Sequence, residues 1–170
     1  MITSTSKKIL LLFISAAFLF SFSTTKAYQT NFSGTWALNE SKSELGQFGG
    51  RAAPSKMTVD QKGNDVTFTR TGTSPDGNSV STTETITGDG KVSETTLSNA
   101  GKKSSTLKWA ADGTTFTINS TISIDANGQA FTVTVVENWS LSADGKTLTL
   151  DDALTTPQGD INIKAVYDKQ

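Results

Sequence analysis

A chain of 170 residues without cysteine or histidine cannot form a disulfide, a Ser-His-Asp or Cys-His catalytic group, or a zinc site of the usual nitrogen and sulfur ligands. Its 15 basic and 16 acidic residues leave a formal net charge of −1, which offers no basic face to nucleic acid.

The first segment has the layout of a secretory signal peptide. Lys7-Lys8 precede an apolar run from Ile9 to Phe22, and Thr25-Lys26-Ala27 supply small residues at the positions a signal peptidase reads. The run is shorter than the ~20 residues of a spanning helix. The expectation is therefore a leader over residues 1–27 and one mature domain over 28–170, secreted or periplasmic, with no stable membrane insertion after cleavage. The leader holds three of the lysines and no acid, so the mature chain carries 12 basic and 16 acidic residues, a net charge of −4.

Asn31 to Leu38 alternates, with Phe32, Gly34, Trp36 and Leu38 on one side, as a half-buried strand does. Residues 39–55 form the one long connection. Ser41-Lys42-Ser43-Glu44 has capping-box spacing, but Gly46, Gly49, Gly50 and Pro54 stop a helix within a turn or two. This segment is read as a loop with at most one helical turn, either a mobile flap or a disordered connector.

From Lys56 onward short alternating runs recur between turn signals. Met57-Val59-Gln61, Val66-Phe68-Arg70, Val80-Thr82-Glu84-Ile86 and Val92-Glu94-Thr96 are followed by Leu107-Trp109 and Phe116 to Ile124. Phe131 to Leu141, Leu148-Leu150 and Ile161 to Tyr167 complete the series. Asp-Gly and Asn-Gly pairs separate many of them, because tight hairpins need residues that tolerate positive φ. About ten strands joined by short turns pair antiparallel. No segment after Ser55 has a helical apolar period. The fold class is thus all-β, an antiparallel up-and-down barrel of about 8–10 strands, with a Greek-key sandwich as the alternative.

Phe32-Ser33-Gly34-Thr35-Trp36-Ala37-Leu38 resembles the opening strand of the calycin group, the lipocalins and the intracellular fatty-acid-binding proteins, whose shared mark is G-x-W. Val166-Tyr167-Asp168-Lys169 resembles the last strand of the fatty-acid-binding branch. Exported bacterial lipocalin-like proteins are the nearest kin on this reading. The resemblance implies a barrel with a cavity. Ala165 stands where that branch has an arginine two residues before the tyrosine, and residues 39–55 leave no room for its pair of lid helices. The carboxylate clamp is therefore not carried over.

Several charges fall in the apolar phase of their strands: Arg70, Glu84, Glu94 and Glu137. Folding the hairpins about Gly77 and Asp89 sets Arg70 opposite Glu84, and Glu84 opposite Glu94, within reach of one another. If the phase holds, these charges line a cavity and fix a polar or cationic group among Trp36, Trp109, Phe116 and Trp139; otherwise they sit on a wet rim. Lys102, Lys103 and Lys108 are assigned to the solvated face. The partner expected is a small hydrophobic or amphipathic molecule, with no metal, cofactor or catalytic group. The alternative is a structural or adhesive module whose barrel is filled. An enzyme using Glu84, Glu94 or Glu137 as acid and base finds no other support in the chain.

Overall fold

The computed structural model describes residues 29–74, 76–97, 101–126 and 129–170; the expected leader lies outside them. Ten strands follow in order: β1 (Gly34–Leu38), β2 (Lys56–Lys62), β3 (Asp65–Thr73), β4 (Ser79–Thr87), β5 (Ser93–Thr96), β6 (Lys102–Trp109), β7 (Phe116–Ala126), β8 (Gln129–Leu141), β9 (Thr147–Thr156) and β10 (Gly159–Lys169). Every ladder is antiparallel between sequence neighbours except one, where β10 pairs with β1. That pairing brings the last strand back to the first. The two ends of the sheet are consequently β4 and β5, consecutive in the chain but not ladder-paired. The barrel is nearly closed, with one seam, and the expectation of an up-and-down barrel holds.

One end is plugged. The chain enters across it, with Thr30 N–H donating to Gly113 O at 2.8 Å and Phe32 N–H to Gln61 Oε1 at 3.1 Å. Phe32 therefore leaves the ladder and drops into the core, fully buried. Trp36 is also fully buried and donates its indole N–H to Phe32 O at 3.1 Å. Gly34 has φ 151, and a Cβ there would lie 3.0 Å from Lys169 Cε, whose ammonium sits 5.2 Å from the Trp36 ring centroid. The glycine of G-x-W makes room for that contact. Above Phe32, Phe116 stacks on Trp139 at 5.3 Å and 19°, and Trp109, Phe68 and Phe32 pack around them at 4.7–6.3 Å. Aromatic groups at these separations bury large area and interlock.

Residues 39–55 are anchored rather than loose, which corrects the flap reading. They form two 3-10 turns, Glu40–Lys42 and Gly46–Arg51. Asn39 caps the first, accepting from Lys42 N–H at 3.2 Å. Glu44 and Lys164 exchange both backbone hydrogen bonds, at 2.7 and 3.0 Å, so the segment takes over the edge of β10 that short β1 leaves uncovered. Leu45 and Ala53 are buried against the core. Glycine content forecast lost helix, but edge pairing and two apolar anchors replace the missing hydrogen bonds.

Candidate functional site

Above the aromatic plug the inward face changes character. Arg70 on β3, Glu84 on β4, Lys103 on β6, Glu137 on β8 and Asp152 on β9 all point into the barrel at about one level. Arg70 donates from Nη1 to Glu84 Oε1 at 2.8 Å and from Nη2 to Glu137 Oε2 at 2.7 Å. Lys103 Nζ reaches the same Glu84 oxygen at 2.7 Å. Since β6 and β4 lie on opposite sides of the unpaired seam, that ion pair bridges it. Trp139 donates from Nε1 to Glu137 Oε2 at 3.0 Å, which ties the charged layer to the aromatic one. The guanidinium also lies 5.2 Å from the Phe68 centroid and 5.7 Å from that of Trp139.

Arg70, Glu84, Lys103 and Glu137 are largely withdrawn from water, with side-chain exposures of 8–14%, and Asp152 is half-buried. Burial alone lowers the pKa of Arg70 and is the largest influence on it, but Glu137, Glu84 and Asp152 together outweigh it and the guanidinium is held more firmly protonated than usual. Asp152 is placed differently. It stands directly across the β8–β9 ladder from Glu137, a like-charge pair on the inward face. Glu137 is claimed by Arg70 and Trp139, while Asp152 Oδ1 is buried without a hydrogen-bond partner. Burial first, then the Glu137 charge, pushes the Asp152 carboxyl up to about 7. Tyr167, fully buried on β10, has no partner for its hydroxyl, and burial with the nearby Asp152 charge pushes its pKa up.

The expected residues thus divide. Arg70, Glu84 and Glu137 meet in one cluster, though not in the expected register. Arg70 faces Thr82, and Glu84 faces Phe68. The β3–β4 turn is centred on Asp76, which accepts from Ser74 Oγ and Asn78 Nδ2, and Ser74 N–H closes on Asn78 O at 2.9 Å. The ladder shifts by two residues, which keeps every side chain on its face, and Arg70 reaches Glu84 diagonally. Glu94 is corrected outright. It faces Ser104 on β5's outer side and is exposed, as is Val92 at 62%. A single valine was too weak an anchor for the phase; pairing with β6 sets it, placing Ser93 against Ser105 and Thr95 against Lys103.

Lys103 is the other correction: it is buried, at 8%, and belongs to the cluster, while Lys102 and Lys108 are exposed as expected. Extending Leu107-Trp109 backwards by twos reaches Ser105 and Lys103, and extending Leu148-Leu150 forwards reaches Asp152, so the signal for both was the alternation itself. Trp36, Phe116 and Trp139 are buried to within 1% in the plug. Trp109 is half-buried beside them, with Gly88 pressed against its ring edge: a Cβ at Gly88 would lie 2.9 Å from Trp109 Nε1.

The end opposite the plug is open. An open pocket of about 430 Å³ lies between the flap and the inner side of β3 and β4. Ala52, Ala53, Pro54 and Val80 supply apolar wall, and Arg70 contributes to its floor. Val80 is in the inward phase yet 42% exposed, because nothing covers it at this mouth.

Fold and site together define a nearly closed ten-strand antiparallel barrel, plugged by aromatics at one end and open at the other above a layer of paired charges. Comparison with protein-family models and with curated proteins finds no match. Among solved structures, the chain is similar to zebrafish ileal bile acid-binding protein complexed with cholic acid, at 17% identity and a TM-score of 0.48 over 82% of this chain and 98% of that one.

Proposed function

We propose that this chain is an exported, lipocalin-like member of the calycin group that binds a small hydrophobic or amphipathic molecule at the open end of its barrel, as a carrier or sensor rather than an enzyme. One observation carries the reading: an open pocket of about 430 Å³ with apolar walls and Arg70 at its floor. Ligand sites are typically apolar clefts of ~300–1,000 Å³ with a few placed polar groups. The G-x-W opening strand and the Lys7 to Ala27 leader support the lipocalin-like and exported parts of the proposal.

The experiment is titration of the mature protein with environment-sensitive lipophilic fluorophores, beside an Ala52→Trp variant that narrows the mouth, its fold checked by thermal melting. Saturable binding in the wild type and at least tenfold weaker binding in the variant are expected. Export is tested separately by the intact mass of protein from the periplasm or medium, which should begin at Tyr28. The second reading is a structural or adhesive module with a filled barrel. The dense aromatic packing of the closed half favours it, and absence of saturable binding to wild-type protein would establish it over the first.

A further inference from the structure

The inward charges do not balance. Arg70 and Lys103 face Glu84, Glu137 and Asp152, two cations against three carboxylates. Both cations already have partners, with Arg70 shared between Glu84 and Glu137 and Lys103 on Glu84. Asp152 is the carboxylate left over, held across the ladder from Glu137 with Oδ1 unpartnered. The fully buried Tyr167 hydroxyl, a second unpartnered oxygen, interacts electrostatically with Asp152, Arg70 and Glu137. Two inward oxygens on adjacent strands β9 and β10 therefore lack donors. We propose that the ligand's polar end is a protonated amine, received by Asp152 and the Tyr167 oxygen, with its apolar part along Ala52, Ala53, Pro54 and Val80. The proposal rests on the binding reading given above and names the ligand class for that site.

A carboxylate ligand would be a fourth negative group in a poorly solvated layer whose two cations already serve three carboxylates, with Arg70 Nε the one cationic donor left unpartnered there. An ammonium instead restores equal numbers of each sign and gives Asp152 a hydrogen-bonded counter-charge, where Arg70 and Lys103 act on it only through their fields. Arg51 at the pocket rim is exposed, so water screens its pull on an anion. The groups that set the ionisation of Asp152 are Glu137 from β8, Arg70 from β3, Lys103 from β6, Tyr167 from β10 and Asp151 on its own strand. An amine that needs the ionised carboxylate binds more tightly above the pH at which Asp152 loses its proton.

The test compares dodecylamine, dodecanol and dodecanoate, which share one chain length, by titration calorimetry with the mature protein at pH 6 and pH 8, below their aggregation limits. Asp152→Asn tests the cluster, and Asp160→Asn, at an exposed position near the start of β10, is the control. Dodecylamine should bind at least tenfold more tightly than dodecanoate at pH 8. Its affinity should rise severalfold from pH 6 to pH 8, and Asp152→Asn, but not Asp160→Asn, should remove both effects. Equal or tighter binding of dodecanoate would overturn the proposal and leave the binding reading standing, as would a preference that survives in Asp152→Asn. Failure of all three probes to bind would overturn both.

Discussion

Replacing Asp152 by asparagine keeps the shape of the side chain and removes a group whose ionisation the fold opposes. Its carboxyl, ordinarily near 3.8, is pushed up to about 7 in the folded chain, first by burial and then by Glu137 across the ladder. Between those two values the folded protein holds a proton that the unfolded chain releases. Stability from this group is therefore complete below about pH 4, falls as pH rises, and is lost above about pH 7. Roughly three pH units at 1.36 kcal/mol each give about 4 kcal/mol, a large share of the 5–15 kcal/mol typical of a whole domain. Asp152→Asn lacks this slope. Urea unfolding followed by tryptophan fluorescence, at intervals from pH 4.5 to 8.5, should show the variant gaining on the wild type by up to ~1.4 kcal/mol per pH unit until neutrality, then running parallel. Any hydrogen bond made by the new amide adds a constant and leaves the slope untouched. A difference between the two proteins that stays flat across the range would refute the argument, since it would mean that Asp152 ionises as freely folded as unfolded.

Arg70→Met strands Glu137 and leaves Glu84 with Lys103 alone, and should cost ~3–5 kcal/mol in the same unfolding assay; Glu137→Gln should cost less, because Arg70 keeps Glu84, and the double variant should recover part of the loss. Gly88→Ala forces a methyl against the Trp109 indole and Asn64 O, at 2.9 and 3.0 Å, and should destabilise by ~1–3 kcal/mol, with a shift in tryptophan emission as the check. Leu45→Ala removes the buried anchor of the flap, should cost ~2–5 kcal/mol, and should speed hydrogen exchange selectively from Glu44 to Arg51; exchange there that is already fast in the wild type would show that the anchor does not hold.

Strand identity was legible in the residue order because each strand carries its own evidence: a two-residue apolar period and a turn former at its end. The up-and-down path followed from turns too short to permit anything but antiparallel neighbours. The closing pair β1–β10 was an inference from that path, and the pairing of Trp36 with Lys169 and of Leu38 with Tyr167 bears it out. Two inward charges, Lys103 and Asp152, were present in the alternation but lay past the apolar residues that announced their strands. Only tertiary structure could decide the rest. The residue on which the β3–β4 turn centres is set by which side chains cap it, and that choice moved Glu84 from Arg70 to Phe68 across the ladder. Glu94 was turned outward by its pairing with β6, because a four-residue strand without an apolar residue of its own, Ser93–Thr96, cannot choose its own face. The flap was held by Leu45 and the free edge of β10, neither visible from its own glycines. Above all, the sharing of Arg70 between Glu84 and Glu137, which leaves Asp152 uncompensated, depends on distances among five strands spread over more than eighty residues. Local sequence determines which face a charge lies on, whereas its partner is chosen by the closure of the barrel.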